Sequence, residues 1–342
     1  MNKLSNSRVL SILSVLICVL IIEVVLVTKK INDKLNIING TMLNITRSME
    51  DLKKIKPVRY DFKGRVPETV RKYSSTDKYF YSWDRLPAVS ETKDENGVNR
   101  VFRKELNDFS YHPVTIAQYG LLMFDAYVDT KDAGYLKEAQ NQADYFVNSI
   151  DKKTGLLFYD FDFKVGGTKE TLKTPWASAM AQGQACSLLI RLYYFTKDKK
   201  YYDTCKLAMK PFQIDVKDGG LKRGFFGYDY YEEYPTIGSN FTLNGFMFAL
   251  IGLYDVWMVA NDETAHKLYK NGFKALVYSL PFYDINGISL YHLGHLFNEG
   301  GSPHFNTGYH KVHIEQLRVI NQWENNNVLD FYIKKWISYV NS

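Results

Sequence analysis

The sequence predicts a mainly α protein: an (α/α) toroid of about four helical hairpins, with a small N-terminal β-containing cap and an N-terminal transmembrane helix. Three observations carry this reading. Helical periodicities run in pairs from residue 113 onward, at about 113–129 with 133–150, 176–196 with 199–213, 240–260 with 263–279, and 310–324 with 327–340. A joint motif repeats, Thr130-Lys131-Asp132 recurring 66 residues on as Thr196-Lys197-Asp198, with Asn261-Asp262 at the third joint. A single apolar run lies near the N-terminus. Hairpins repeating at such a period cannot bury their apolar faces alone, so they stack or close.

After a polar tail (1–8), Val9–Thr28 is nearly continuous Val, Ile and Leu, bounded by Arg8 and Lys29-Lys30. Twenty helical residues span about 30 Å, one hydrocarbon thickness, and no small-residue cleavage pattern follows. The run reads as an uncleaved anchor. Lys3 and Arg8 on one side balance Lys29, Lys30 and Lys34 on the other, so the positive-inside rule leaves orientation open. The expected location is a membrane, with the main domain on the non-cytoplasmic side.

Residues 29–56 follow. Ile31, Leu35, Ile38, Met42, Ile45, Met49 and Leu52 are spaced 4, 3, 4, 3, 4, 3, a heptad seam that predicts a short coiled-coil stalk pairing two copies as a homodimer. A single amphipathic helix is the alternative. Residues 57–110 lack helical periodicity, and Glu95-Asn96-Gly97 before Val98–Phe102 predicts a hairpin. Residues 111–342 form the main domain.

The net charge of +6 over 342 residues lacks the concentrated basic stripe of nucleic-acid binding and suits an anionic polymer. The 26 Tyr, 21 Phe and 5 Trp supply flat apolar faces with polar edges, which match the C–H faces and hydroxyls of sugars. They also simply fill a core. With Cys18 inside the apolar run, Cys186 and Cys205 make no disulfide framework.

Unusual residues fall in the loops between hairpins, where chemistry concentrates. One reads Tyr228-Asp229-Tyr230-Tyr231-Glu232-Glu233-Tyr234-Pro235-Thr236; the other runs from Tyr283-Asp284 through Tyr291-His292, His295 and His304 to Tyr309-His310. Tyr230 and Tyr231 have an alternative reading as core, and Glu232 as a solvated neighbour of Glu233. His292/His295 and His310/His313 stand at i, i+3 without a matching Cys or carboxylate, so no metal site is expected.

Trp176-Ala177-Ser178-Ala179-Met180-Ala181-Gln182-Gly183-Gln184 resembles a signature of the D-glucuronyl C5-epimerases. Similar in the same order are Ile116–Gly120, Tyr231–Thr236, Leu243–Met247 with Ile251–Asp255, Leu280–Asp284, and Tyr309-His310 with His313-Ile314 and Gln316-Leu317. Collinear matches carry far more weight than one tripeptide. The resemblance covers about residues 109–342. It implies an (α/α) domain that converts D-glucuronate to L-iduronate in a heparosan- or heparan-like polysaccharide, an isomerase. Glu233 and Tyr234 fall on the family's catalytic pair, and Tyr291 and Tyr309 on its other active-site tyrosines. Substrate contacts are expected from Tyr231, Asn244, His295, His310 and Arg318. Where the family has an arginine, this sequence has Gly294, so His295, Lys311 or Arg318 would have to hold the substrate carboxylate. Residues 57–110 are too short for the β-sandwich of the animal enzymes.

Removing the C5 hydrogen of a uronate builds charge beside a carboxylate, which requires a base on one face, an acid on the other, and neutralisation of the carboxylate. Glu233 and Tyr309 fit the first two roles and Tyr234 and Tyr291 the third, with no cofactor. The competing expectations are an (α/α)-toroid polysaccharide lyase or uronyl hydrolase, and a non-catalytic polysaccharide-binding scaffold.

Overall fold

The joint motif is a helix-to-helix connector of defined geometry. The computed structural model describes residues 24, 28, 29, 60, 62, 66, 70–81, 92–285, 287–298 and 302–341, and within them the hairpins are α1 (Pro113–Thr130) with α2 (Ala133–Ser149), α3 (Ala179–Thr196) with α4 (Lys199–Ala208), α5 (Leu243–Ala260) with α6 (Glu263–Tyr283), and, after the short α7 (Gly294–Phe297), α8 (Thr307–Glu324) with α9 (Asn327–Asn341). Lys131, Lys197, Asn261 and Asn325 each stop a helix in the left-handed conformation, with φ of 61°, 60°, 52° and 46°. The next residue starts the following helix: Asp132, Asp198 and Asp262 accept the N–H of Gly134, Lys200 and Ala265 at 2.8, 3.0 and 2.8 Å, and Asn326 accepts from Val328 at 2.9 Å.

The first helices of the hairpins lie side by side in chain order, α1 on α3, α3 on α5, α5 on α8. α3 and α5 are buried nearly all round, as befits central helices. They meet backbone to backbone: a Cβ on Gly252 would lie 2.1 Å from the Gly183 carbonyl, and one on Gly183 2.4 Å from the Ala249 Cα. α5 is long and apolar enough to cross a membrane, but 72% of it is buried inside the protein, which marks a core helix.

Three helix starts differ from the sequence reading, α8 beginning at Thr307 behind its Asn306 cap instead of at 310. Trp176–Ala177 is a strand paired with Phe158–Tyr159, so α3 begins at Ala179. Phe241 takes a φ of 50°, which delays α5 to Leu243. The Tyr-rich loop is a hairpin, Lys222–Phe225 with Tyr228–Tyr231, turned by Phe226 and Gly227, both at positive φ. A hairpin also occurs where residues 57–110 predict one: Lys93 bridges Asn99 around a turn, and Val101–Arg103 pairs with Asp108–Ser110.

One end of the helix array is tied by residues 71–81. Tyr73 N–H donates to Gln322 of α8 (2.7 Å) and its hydroxyl to Asp255 of α5 (2.7 Å); Arg191 of α3 donates to the Asp77 carbonyl (3.0 Å); Tyr79 N–H donates to Asp125 of α1 (2.8 Å). This strap joins all four hairpins. At its centre Arg191 and Asp255, both fully buried, pair at 2.7 Å.

The chain divides into two compact units, Met1–Ile55 and Lys56–Ser342. Of the expected anchor, Val24 and Thr28 are described and helical, as is Lys29, with the Thr28 hydroxyl donating to the Val24 carbonyl at 2.8 Å. The rest of the anchor and the heptad stalk lie outside the described residues.

Candidate active site

At the end opposite the strap, three chain segments converge on Glu233. The first is the chain leaving the Tyr228–Tyr231 strand, where Glu232 and Glu233 take opposite fates. Glu232 is fully buried, contrary to the solvated position its neighbour's role implied. Its carboxylate accepts the N–H groups of Asn240 (3.2 Å) and Phe241 (3.0 Å), with Arg223 at 3.6 Å. It braces the loop that leads into α5. Burial pushes it up to about 8, the Arg223 charge and the two N–H groups pulling the other way.

Glu233 turns inward and is 5% exposed. It rests on Gly245 in the first turn of α5, where a Cβ would stand 2.1 Å from its Oε2; only glycine admits the carboxylate there. That oxygen is buried without a hydrogen-bond partner, whereas Oε1 accepts from Tyr291 at 3.4 Å. Burial pushes Glu233 up to about 7, against smaller opposing effects from Tyr234, Tyr291 and the Gly245 N–H. Such a carboxylate changes protonation near neutrality, the condition for a general base at work there.

The second segment is the strand Ile288–His292, paired with His304–Phe305. The register shifts at Tyr291, between the Leu290–Phe305 and His292–His304 pairs, the kind of irregularity that re-aims a side chain. Tyr291 reaches Glu233 and shares a 3.1 Å hydroxyl contact with Tyr234. The third is the start of α8, where Asn306 caps the N–H of Gly308 (2.8 Å) and of Tyr309 (3.3 Å). The Tyr309 ring lies 4.6 Å from that of Tyr291 and is 39% exposed. Burial raises all three phenols above their ordinary range, with the Glu233 charge adding to the effect, so each is a neutral O–H donor at pH 7. Glu233, Tyr234, Tyr291 and Tyr309 thus form one contiguous group, graded from a buried carboxyl to an exposed phenol.

Asn244 stands beside Gly245. Its carbonyl accepts from Gln316 of α8 at 2.9 Å, and its side-chain oxygen is buried without a partner. Both ring nitrogens of His295 are likewise unpartnered, and burial, with His292 nearby, brings it down to about 4, so it is neutral at pH 7.

The structure does not bring Tyr231, His310 or Arg318 to this group. Tyr231 is fully buried, donates to the Leu268 carbonyl (2.8 Å) and packs on Phe212 and Phe246, the core reading. His310 is fully buried; it accepts the Ser289 N–H (2.9 Å) and donates to the Trp336 carbonyl (3.1 Å), tying α8 to α9. Arg318 lies nine residues further along α8, towards the strap. The Gly294 position is tight: a Cβ there would stand 2.9 Å from Asn240 Oδ1 and 3.1 Å from His292 Nδ1, so those side chains would have to shift, and its N–H donates to His292 Nδ1 at 3.0 Å.

Sequence reading passed over Phe163, which stacks on Tyr234 at 5.3 Å and 16° from the hairpin Phe163–Lys164/Thr171–Leu172. No local signal marks it. It named Gln316 and His313 only within the collinear match and gave them no site role; they follow Tyr309 by seven and four residues and so share its helix face. Among the described residues, no group of three or more His, Cys, Asp or Glu is placed to hold a metal ion.

Comparison with known proteins bears on this geometry. A Caenorhabditis elegans D-glucuronyl C5-epimerase is 39% identical over 184 residues, covering 50% of this chain and 30% of the relative, so the chain spans well under half of that protein. An uncharacterized protein of Methanocaldococcus jannaschii is 28% identical over 221 residues, covering 59% of this chain and 67% of the other. Among solved structures, the GH76A α-1,6-mannanase from Salegentibacter superposes with a TM-score of 0.50 at 14% identity, over 75% of this chain and 67% of that one, a likeness of fold alone. Residues 150–338 match the profile of the D-glucuronyl C5-epimerase C-terminus, a span that holds Glu233, Tyr234, Tyr291 and Tyr309, and the chain belongs to that family.

Proposed function

We propose that the chain is a polysaccharide uronate C5-epimerase, converting D-glucuronate to L-iduronate residues in a heparosan- or heparan-like polymer. The observation that carries the reading is the meeting of three separate segments on a buried carboxyl poised near pH 7, Glu233, surrounded by three neutral phenols.

In this mechanism Glu233 takes the C5 proton and the electron pair of the C–H bond passes into the substrate carboxylate. Tyr234 and Tyr291 donate hydrogen bonds to that carboxylate as it becomes enolate-like, stabilising the charge where it develops. Tyr309, the exposed member, delivers a proton to the opposite face of C5, and solvent exchange returns Glu233 and Tyr309 to their starting states. With Gly294 in place of the family arginine and His295 neutral, the phenols and the N–H groups at the starts of α5 and α8 supply the remaining positive field. Phe163, stacked on Tyr234, forms a wall for the sugar ring. The hairpins act as an (α/α) toroid, Val9–Thr28 anchors the chain in a membrane with the catalytic unit on the non-cytoplasmic side, and the Ile31–Leu52 seam pairs two chains.

The test is NMR of heparosan and N-sulfated heparosan incubated in heavy water with the full chain. Iduronate signals with deuterium at C5 are expected. Absence of both sinks the reading for these substrates, and a conjugated, UV-absorbing product assigns a lyase instead.

A further inference from the structure

The hairpin Phe163–Lys164/Thr171–Leu172 stacks Phe163 on Tyr234, but its turn is bonded to both segments that carry the buried phenols. On one side the Glu170 carboxylate accepts the N–H of Ile237 at 2.7 Å with one oxygen and of Gly238 at 3.1 Å with the other. These residues follow Tyr234 closely, and the chain between is fixed as well. Asn240 Nδ2 donates to the Thr236 hydroxyl at 2.6 Å, that hydroxyl donates to the Gly238 carbonyl at 2.6 Å, and Arg223 bonds the Thr236 and Ile237 carbonyls.

On the other side stands His292, the residue after Tyr291. Its Nε2 donates to the Gly166 carbonyl at 2.7 Å, and its Nδ1 accepts the Gly294 N–H at 3.0 Å. A carbonyl takes only a donor and an amide N–H only an acceptor, so the two partners fix the tautomer of a neutral imidazole. Burial, opposed by the bond to Gly166, brings His292 down to about 4, so the ring is neutral at pH 7. Gly167 has a φ of 73°, and a Cβ there would stand 2.7 Å from His292 Nε2; only glycine lets the turn come this near. The Gly167 carbonyl accepts from the Ser302 N–H at 3.2 Å. His304 stacks on His292 and meets Tyr291 edge-on, with centroids 5.4 Å away in each case.

Within itself the turn is closed by the Val165 N–H on the Glu170 carbonyl at 3.1 Å. The bonds of the Glu170 side chain and of the Gly166 and Gly167 carbonyls all leave the hairpin. Tyr234 and Tyr291 lie 57 positions apart in the chain, yet their hydroxyls meet at 3.1 Å. Their segments also touch directly at Asn240, which accepts from Leu293 at 2.8 Å and from Asn298 at 2.9 Å. One such junction acts as a pivot. A second connection, through the hairpin, fixes the opening about it.

We propose that Glu170 and His292 are positioning residues for the epimerisation: with the hairpin between them they form a strut that sets the spacing of the Tyr234 and Tyr291 hydroxyls, the pair that receives the substrate carboxylate. The role of that pair rests on the epimerase reading; the strut itself rests on the bonds above. Hydroxyls spaced for the enolate-like form act on the transition state more than on the bound substrate, so the strut weighs on kcat and leaves KM little changed.

The test uses the full chain in detergent with heparosan. Deuterium entry at C5 gives kcat and KM, and hydroxyl-radical footprinting of Tyr291, 8% exposed, reports the geometry without turnover. His292→Asn keeps an acceptor for the Gly294 N–H and loses the donor to Gly166; His292→Gln keeps a donor long enough to reach Gly166; Glu170→Ala loses both acceptors. In His292→Asn and Glu170→Ala, kcat is expected to fall at least about 10-fold with KM nearly constant, and Tyr291 to lose its protection. His292→Gln is expected to recover most of both. A parental kcat in either variant, or a change confined to KM, overturns the proposal, and a His292→Gln no better than His292→Asn removes His292 from the strut. Should Glu170→Ala fail to fold, Glu170→Gln, which keeps one acceptor, decides: a reduced kcat is expected, and an undiminished one overturns the proposal. If the parent itself shows no C5 deuterium, the epimerase reading falls and footprinting alone judges the strut. Protection lost in His292→Asn and Glu170→Ala and kept in His292→Gln then supports it; protection unchanged throughout overturns it.

Discussion

Gly245 has no side chain, and the space a methyl group would take is occupied by Glu233. In Gly245→Ala the new Cβ would stand 2.1 Å from Glu233 Oε2, 2.6 Å from its Cδ and 2.7 Å from its Cβ. Real Cβ contacts essentially never fall below 3.0 Å, so the carboxylate must retreat by about 0.9 Å. In this first turn the gain from Gly→Ala is below the helix-interior figure of about 1 kcal/mol, and overpacking a filled site costs about 1–3 kcal/mol. The net loss is therefore at most about 3 kcal/mol, a fall in Tm of up to about 10 °C at about 2–4 °C per kcal/mol. The chemical effect is larger, because a misplacement of about 1 Å in a reacting group costs on the order of 100-fold in rate. The assay is the initial rate of solvent deuterium entry at C5, measured well below the Tm of both proteins, with the Tm recorded alongside. A variant that folds and exchanges within about twofold of the parent would refute the reasoning, since Glu233 would then not be working from its seat on α5.

Glu233→Gln is expected to lower C5 exchange by about 10²–10⁴-fold, and exchange by the parent to rise with pH through about 7 as Glu233 deprotonates. Stability runs the other way. The folded state keeps a proton that the unfolded chain releases between 4.5 and about 7, so this contribution is full below 4.5 and lost as pH rises through about 7. The Tm difference of Glu233→Gln relative to the parent should become more favourable across that window; a difference that does not change with pH speaks against the raised value. Tyr309→Phe keeps the ring contact with Tyr291 and removes the exposed O–H, so exchange should fall by about 10²-fold or more with an unchanged Tm; retained exchange assigns the acid elsewhere. Gly294→Arg, which restores the family residue, should lower Tm without raising exchange, because its Cβ meets Asn240 and His292; a gain in exchange would show that the position is open. Asp255→Asn leaves Arg191 buried without its counter-charge, a loss of about 3–5 kcal/mol or on the order of 10 °C, and an unchanged melting curve would mean that the strap is not the closure described.

The hairpins were legible because their joints are local. A left-handed stop followed by an Asp or Asn cap is written in two adjacent residues, and Lys131-Asp132, Lys197-Asp198 and Asn261-Asp262 repeat it. The helix starts at the site were less legible, because they are set by partners distant in sequence. Trp176 is drawn into a strand by Tyr159, and Phe241 is held in a strained turn whose N–H is bonded by Glu232. Among the candidate residues, the four that fall on the family's catalytic positions form one cluster. Tyr231 and His310 belong to the same collinear motifs and stand next to that cluster in sequence, but they turn into the core. Alternation along a strand and around a helix sends a neighbour to the other side, and sequence proximity then misleads. Phe163 had no signal at all, since its role exists only once its hairpin folds back over Tyr234.

Glu232 and Glu233 show what separates a structural carboxyl from a chemical one. They are adjacent, identical and both buried, and burial raises both. Raised to about 8, Glu232 already holds its proton for the most part at pH 7 and is not available to take another. Its two oxygens accept backbone N–H groups from Asn240 and Phe241, with Arg223 nearby, so they are spent on fixing the loop into α5. Glu233 meets only groups of the site itself: the Tyr291 hydroxyl at 3.4 Å, with Tyr234 and the Gly245 N–H beside it, and no bond of full geometry to Oε2. Protonating it disrupts little, and its open oxygen sits against the glycine that begins α5, beside the phenols. In the proposed mechanism the base is therefore the carboxyl that faces the phenols, while its neighbour braces the loop into α5.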